Sequence, residues 1–173
     1  RLMGAGGGVG LPAVQLAVRE GAHVVAAASS AAKLALARAA GAHETLLIDR
    51  DSPVIDRRDI DIVYDPVGGA LAHPTLKTLR RNGRYLIIGF VGGRPAPLPL
   101  NRVLLKEIAV VGVRAGEQGR QDPAAGRAHI AAIDARAAAM KPHIGLTVPL
   151  AQAGEAFAAM AAGTLAGKAV ITI

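Results

Sequence analysis

The sequence predicts an α/β fold in which a doubly wound parallel sheet carries helices on both faces. Apolar segments rich in Val, Ile and Leu alternate with helical patterns along most of the chain. The segments are continuous, as expected for strands that are buried on both faces. A glycine-rich turn at residues 4–10 lies between a short apolar start and the first helical pattern. Together these three observations favour parallel strands joined by crossover helices.

The glycine-rich turn, GAGGGVG at residues 4–10, has the strand–turn–helix context of a dinucleotide-binding fingerprint. A strict G-x-G-x-x-G fails, because counting from Gly4 places Val9 at the last glycine position. Frames that begin at Gly4 or at Ala5 and continue through Gly7 and Gly10 both fit. No Gly-Lys-Ser/Thr follows, which excludes a Walker phosphate loop. Glycines at such a turn let the backbone approach a pyrophosphate, so we predict a Rossmann-type nucleotide domain. A glycine-rich turn without a ligand is the alternative.

Caps and glycines divide the first half of the chain. The first helix is expected to end near Gly21, and Ser30 and Gly41 are the expected N-cap and end of a helix at residues 31–40. Apolar runs predict strands at residues 23–28, 45–48 and 60–64. The charged residues 49–59 between the last two of these predict a solvated loop or a poor helix.

In the second half, apolar runs predict strands at residues 84–88, 108–113 and 168–173, with a short segment at 146–148. Helical patterns predict helices at residues 71–79, 102–106, 123–139 and 151–162. Asn82-Gly83 predicts a turn before the strand at 84–88. Asn101 is the predicted N-cap of the helix at 102–106.

Composition narrows the classes of function. The chain has 173 residues, no cysteine, a net charge of +7 and only 2% aromatic residues. Without cysteines it has no disulfide or thiolate metal site, and its five histidines lack ligand-like spacing. Scattered basic residues and few aromatics argue against nucleic acid as a partner. No apolar run approaches the ~18 residues that a membrane helix needs, so we expect no membrane partner and a cytoplasmic location.

Potential ligand contacts fall where the predicted strands end. Gly7, Ser29, Asp65, Gly89 and Gly112 each follow or end an apolar run. Ligands of open parallel sheets bind beyond the carboxyl ends of the strands, so these positions are expected to line one binding crevice. Two of the assignments have a plain structural alternative: Asp65 as a helix N-cap, and Phe90, just after Gly89, as a core residue.

These segments resemble the cofactor domain of the medium-chain dehydrogenase/reductase superfamily, most closely its zinc-free quinone oxidoreductase branch, which includes zeta-crystallin. The similarity covers nearly the whole chain in order, and it rests on the glycine-rich turn and on residues 13–17, 28–34, 65–69, 83–90, 101–106, 110–113, 149–150 and 167–168. The resemblance implies an upstream substrate domain that this chain lacks. We therefore expect residues 1–173 to be one N-terminally truncated dinucleotide-binding domain, inactive by itself.

The resemblance also assigns roles to individual positions. Glycines of the turn would meet the cofactor pyrophosphate, Ser29 and Lys33 the adenosine 2′-phosphate, and the later strand ends the ribose and nicotinamide. No catalytic residue and no metal ligand is assigned. The candidate cofactor-binding residues are Gly7, Gly8, Val9, Gly10, Ser29, Ser30, Lys33, Asp65, Gly89, Phe90, Gly112 and Val113.

The expected cofactor is NADPH. The strand at residues 23–28 is followed by Ser29, with no Asp or Glu to accept a hydrogen bond from a ribose 2′-hydroxyl or to repel a 2′-phosphate. Lys33 lies in the first helical turn if Ser30 is the N-cap, and the helix dipole disfavours a cation there. A bound anion would offset that cost, and a fully solvated lysine is the alternative.

The expected function is hydride transfer from NADPH to a quinone or another conjugated carbonyl, by a protein that the resemblance implies is a homodimer joined through residues 108–113. Three alternatives stay open. A zinc-dependent alcohol dehydrogenase would carry metal ligands in the upstream part, a non-catalytic NADPH-binding protein would never oxidise the cofactor, and an RNA-binding protein would use the positive charge.

Overall fold

The computed structural model describes residues 1–49 and 55–173. Their contacts divide them into two units: residue 1 with residues 49–141, and residues 2–48 with residues 142–173. The part of the predicted loop at residues 50–54 lies outside the described residues. All strand pairs that the described residues form are parallel, which confirms the parallel α/β class that the sequence predicts.

Seven helices and seven strands are numbered here along the described residues. The helices are α1 Gly10–Arg19, α2 Ala31–Ala39, α3 Ala72–Lys77, α4 Leu100–Lys106, α5 Ala115–Gln121, α6 Pro123–Ala137 and α7 Ala153–Ala161. The strands are β1 Val25–Ala28, β2 Glu44–Leu47, β3 Ile60–Asp65, β4 Leu79–Ile87, β5 Ala109–Gly112, β6 Ile144–Pro149 and β7 Lys168–Thr172. Short 3₁₀ turns at Gly69–Leu71 and Leu150–Gln152 precede α3 and α7.

The unit of residues 2–48 and 142–173 contains the pairs β1–β2 and β6–β7. All four residues of β1 are buried, and three of them are alanines, so its neighbours approach closely. Leu2, just before the glycine-rich turn, forms a single bridge with Ala26. A second bridge joins Gly7 to Gly167 and places the residue before β7 beside the turn.

The other unit is built on a three-stranded sheet in the order β3–β4–β5. Its core includes Val63, Leu76, Leu79 and Tyr85, all at most 2% exposed. Because Asp65 pairs with Ile87 and Ile87 with Gly112, the three strands end at one edge of the sheet. The predicted contact residues Asp65, Gly89 and Gly112 therefore lie at this edge.

Two local predictions, a turn and an N-cap, are wrong. The predicted Asn82-Gly83 turn lies within β4. The pairing of β3 with β4 shifts there, because Ile60 pairs with Leu79 whereas Ile62 pairs with Arg84. Asn82, among the extra residues of β4, has a positive φ of 60°. Asn101 is not an N-cap, because α4 begins one residue earlier and the carbonyl of Pro99 accepts from the amides of Arg102 and Val103.

Helix α5 was not predicted. Two glycines, Gly116 and Gly119, weaken its helical pattern, since each costs about 1 kcal/mol relative to alanine in a helix. Contacts with α6 compensate: a Cβ on Gly126 would lie 2.9 Å from the Cα of Gly119, so the two helices cross where neither has a side chain. Asp122 caps α6 by accepting from the amides of Ala124 and Ala125.

Candidate functional site

Three glycines of the glycine-rich turn are required by the protein itself. Gly4 has a φ of +60°, which L side chains rarely adopt. A Cβ on Gly10 would collide with the carbonyl of Gly4 and lie 2.7 Å from the Cα of Ala5, so α1 can begin this close to the turn only with glycine there. A Cβ on Gly6 would lie 2.7 Å from the Cγ of Lys33. Of the two glycine frames, only the one that starts at Gly4 includes both Gly4 and Gly10, two glycines that the backbone requires.

Gly7 differs from its neighbours. It lies outside the positive-φ region, and a Cβ there would meet only the carbonyl oxygen of Gly4, at an ordinary 3.5 Å. Neither backbone conformation nor packing requires a glycine at this position. In the described part of the chain, the amides of Val9 and Gly10 also donate to no protein acceptor, whereas the Gly8 amide faces the carbonyl of Gly167 in the Gly7–Gly167 bridge. The turn thus combines open space at Gly7 with unbonded amides at the start of α1, the arrangement that binds anions.

The start of α2 lies next to this turn. Ser30 is its N-cap, as predicted, and the Ser30 Oγ accepts from the amide of Lys33 at 3.3 Å. Ser29, one residue earlier, is exposed. The side chain of Lys33 runs past Gly6, and its Nζ donates to the carbonyl of Gly163 beyond the end of α7. The structure therefore brings Lys33 to the glycine-rich turn, but it also gives the ammonium group a protein acceptor.

Sequence reasoning missed Lys168 as a member of this group. A Cβ on Gly8 would lie 2.8 Å from the Cδ and 3.1 Å from the Cε of Lys168, so the lysine side chain lies against the turn. The amide of Gly167 donates to the carbonyl of Gly6 and fixes that approach. No local signal marks Lys168 as a partner of residues so distant in sequence. Gly167 and Lys168 stand out in the sequence only through the family resemblance.

The second group of predicted residues lies where β3 and β4 end. Asp65 is 1% exposed. Its Oδ1 accepts from the amides of Val67 at 2.8 Å and Gly68 at 2.9 Å, and its Oδ2 accepts from the hydroxyl of Tyr85. The carboxylate therefore holds the DPVGG loop in place from below. Sequence reasoning considered Asp65 but not Tyr85, whose contact needs the β3–β4 register.

The loops after β3 and β4 are interlocked. The amides of Ile88, Val91 and Gly92 donate to the carbonyls of Asp65, Pro66 and Val67. Glycines are required where the loops touch: a Cβ on Gly68, which has a φ of +62°, would lie 2.9 Å from the ring of Phe90. Phe90 is 49% exposed, so its ring covers Gly68 and faces solvent, and the alternative that Phe90 is a core residue is wrong. Gly89 approaches the carbonyl of Pro66.

Gly112 and Val113 end the third strand of the same sheet. The amide of Val113 donates to the carbonyl of Ile87, and a Cβ on Gly112 would have no neighbour within 4 Å. The structure thus gathers Asp65, Gly89 and Phe90 with this strand end, and gathers the turn glycines with Ser30 and Lys33. That both groups bind one cofactor stays a prediction.

Comparison with known proteins identifies the family. The family described as zinc-binding dehydrogenase matches residues 8–131, which is most of the chain. The chain belongs to that family. The match confirms the predicted membership of the medium-chain dehydrogenase/reductase superfamily, and it includes every candidate residue except Gly7.

Individual relatives of the chain agree with the family assignment. It is 29% identical to quinone oxidoreductase-like protein 2 of Bos taurus over 98% of its own length and 51% of the relative. A mycobacterial protein solved in complex with NADPH superposes with a TM-score of 0.82 at 24% identity, covering 99% of this chain and 55% of that one. An NAD-dependent alcohol dehydrogenase superposes at 0.79 with 28% identity, over 99% and 50% of the two chains.

The chain spans about half the length of these relatives. The structural match confirms a Rossmann-type fold. Among residues 1–49 and 55–173, no three His, Cys, Asp or Glu side chains lie close enough to hold a metal ion. None of the described helices is both long and apolar enough to cross a bilayer.

Proposed function

We propose that this chain is the NADPH-binding part of an oxidoreductase that transfers a hydride to a quinone or another conjugated carbonyl. The observation that carries the proposal is Gly7, a glycine that the fold itself does not require, near the unbonded amides of Val9 and Gly10. Such a position has a simple explanation if a pyrophosphate must approach the backbone there. Bound NADPH would supply the hydride, and the protein would supply binding and orientation.

The charges around the turn support a dianionic ligand. The amides at the start of α1 and the helix dipole favour negative charge. The side chain of Lys168 lies against Gly8 and adds a cation beside them. No acidic residue lies in the first turn of α1, so nothing at the helix start opposes an anion.

The start of α2 supports NADPH over NADH. Ser29 is exposed, the first turn of α2 has no acidic residue, and Lys33 belongs to that turn. An ammonium group has three donors, so the bond from Lys33 to Gly163 leaves room for an anionic partner. A hydrogen bond to a charged group contributes about 1.5–3 kcal/mol, enough for a roughly 10- to 150-fold preference for the phosphorylated cofactor.

The substrate class is supported by the bovine quinone oxidoreductase-like relative. The site itself contains no acid–base pair among the residues that line it in the described chain, since Asp65 is buried under its own loop. This fits a reaction in which positioning of the cofactor against an electrophilic carbon does most of the work.

The substitution Gly7→Ala tests the proposal. The fold should tolerate it, because a Cβ fits at 3.5 Å from its nearest neighbour. The methyl group would nevertheless hold a pyrophosphate away from the turn and cost at least about tenfold in NADPH affinity, the loss of one charged hydrogen bond. Titration calorimetry of the chain with NADPH measures the affinity, and thermal unfolding measures the stability.

Gly154→Ala is the matched control. Gly154 also has open space around it, but it lies in α7, so the substitution should leave NADPH affinity unchanged and slightly stabilise the helix. NADPH affinity that is equal in the wild type and Gly7→Ala, with both proteins folded, would contradict the proposed cofactor site.

A further inference from the structure

A pocket lies at the carboxyl ends of the three-stranded sheet. Its volume is about 380 Å³, which is within the range of about 300–1,000 Å³ that is usual for ligand sites. One wall contains Tyr64 of β3 with Ile88 and Val113, the residues that follow β4 and β5. The other wall is the start of α5. We name it the Arg114 pocket, lined chiefly by Tyr64, Ile88, Val113, Arg114, Glu117 and Arg120.

The Arg114 pocket lies on the opposite face of the sheet from the Asp65–Tyr85 pair. Neighbouring residues of a strand point to opposite faces, and Asp65 points toward Tyr85. Tyr64, the residue before it, therefore points to the other face, where the pocket is. Val113 is the one residue that this pocket shares with the candidate cofactor-binding residues, and neither Arg114 nor Arg120 is among those candidates.

The charges of this pocket are unevenly paired. Glu117 accepts from Arg120 through both Nε and Nη2, so these two groups neutralise one another. Arg114 lies 3.5 Å from the same carboxylate and is 77% exposed. One guanidinium thus remains with a single long ion pair in the described chain, and the pocket carries one net positive charge.

A second donor faces the same space. Tyr64 is half-buried, and within the described residues its hydroxyl has no protein hydrogen-bond partner. Burial raises the pKa of Tyr64, so the phenol is protonated and able to donate at neutral pH. Ile88 and Val113 supply apolar surface between the two polar groups.

We infer that the Arg114 pocket binds the carboxylate of a small substrate, and that the conjugated carbonyl substrate of this protein carries such a group. A guanidinium binds a carboxylate through two parallel hydrogen bonds, and the Tyr64 hydroxyl provides a third donor. Inorganic phosphate has no carbon chain to cover the apolar wall of Ile88 and Val113, which favours a carboxylic acid over phosphate. The apolar wall accommodates the carbon chain that joins the carboxylate to the carbonyl.

That the bound acid is the hydride acceptor rests on the proposed function; that the pocket binds a carboxylate does not. The test therefore uses no nicotinamide. Crotonate is the probe, crotonamide is its neutral counterpart of nearly the same shape, and inorganic phosphate is the dianionic comparison. Amide chemical shifts of the isotope-labelled chain locate the binding and give the affinity.

Crotonate is expected to shift the amides of Tyr64 and of residues 113–117 in a saturable way. Crotonamide and phosphate should each bind at least about tenfold more weakly, because crotonamide loses a charged hydrogen bond and phosphate has no carbon chain to cover the apolar wall. Arg114→Gln should weaken crotonate about tenfold, and Tyr64→Phe several-fold. Both side chains are at least partly exposed, so both variants should fold.

Arg127→Gln is the control, because Arg127 is an exposed arginine of α6 outside the pocket and its loss changes the net charge equally. If Arg114→Gln and Arg127→Gln weakened crotonate binding equally, the change in net charge alone would explain the effect, and the inference would be overturned. Crotonamide or phosphate binding as tightly as crotonate would also overturn it. Either failure leaves the NADPH titration of Gly7→Ala unaffected, so the two proposals fail separately.

Discussion

Two lysines lie beside the glycine-rich turn, and their surroundings differ. Lys168 lies against Gly8, next to the unbonded amides that begin α1. Lys33 belongs to the first turn of α2 and donates to the carbonyl of Gly163. If the turn binds the pyrophosphate and α2 the adenosine 2′-phosphate, the two lysines contact different parts of the cofactor. Only the second of those parts distinguishes NADPH from NADH.

Lys33→Ala and Lys168→Ala are therefore expected to have different effects on cofactor selectivity. Loss of Lys33 should weaken NADPH about tenfold and leave NADH nearly unchanged, because NADH has no 2′-phosphate. Loss of Lys168 should weaken both cofactors by similar factors. Titration calorimetry with both cofactors measures the four affinities. Equal NADPH and NADH affinities in the wild type, or an unchanged preference in Lys33→Ala, would remove Lys33 from the site.

At the scale of elements, the buried Asp65–Tyr85 pair joins the loops that follow β3 and β4. Asp65 holds the amides of Val67 and Gly68, and Tyr85 donates to the same carboxylate from the next strand. The backbone hydrogen bonds between the two loops depend on this arrangement. Two strand ends are thus combined into one rigid rim, on which Gly89 and Phe90 lie.

Tyr85→Phe should destabilise this rim. The substitution leaves one oxygen of a fully buried carboxylate without a donor, which costs about 1–3 kcal/mol in the free energy of unfolding. Tyr64→Phe is the matched control, because it removes a half-buried hydroxyl that has no protein partner within the described residues. Urea denaturation of both variants measures the difference. Equal stabilities for the two would show that the Tyr85 hydroxyl contributes nothing.

The same pair gives an alkaline pH dependence. Burial, and then the Asp65 carboxylate, raise the pKa of Tyr85 above the ordinary 10.0. Above pH 10 the unfolded chain therefore loses this proton while the folded chain keeps it, and unfolding becomes more favourable as the pH rises. The contribution is complete below pH 10 and is lost above it. Tyr85→Phe should show a smaller decline over that alkaline range.

At the scale of the whole molecule, the sheet β3–β4–β5 has an apolar edge. Among the described strands β5 pairs only with β4, and Val110 and Val111 are 36% and 40% exposed. An apolar edge strand with unpaired backbone groups tends to be paired or covered. A second copy of the chain, joined edge to edge through β5, is the partner that we propose.

Val110→Lys should convert a dimer into a monomer without unfolding the chain, because a charged side chain on an edge strand opposes pairing and the position is exposed. Sedimentation at micromolar concentration gives the mass, and circular dichroism checks the fold. A wild-type chain that is folded and already monomeric would contradict the proposed dimer.

Much of the fold could be predicted because its signals are local. Continuous apolar runs mark buried parallel strands, and Ser30 and Gly41 mark the ends of α2, since a cap and a positive-φ glycine act within a few residues. Local signals failed where neighbours in space supplied the stability. Helix α5 contains two glycines and forms against α6. Asn101 is not the N-cap of α4, because the backbone carbonyl of Pro99 accepts the first hydrogen bonds of that helix.

The sequence by itself determined the α/β class, the position of the glycine-rich turn and the strand ends at which a ligand would bind. Only the tertiary structure decided which of those residues are available to a ligand. Asp65 is taken by Tyr85 across the β3–β4 register, Lys168 reaches Gly8 from the far end of the chain, and Arg114 faces Tyr64 across a pocket. Periodicity and caps are properties of neighbouring residues along the chain. Hydrogen-bond partners and charge balance depend on which distant segments fold together.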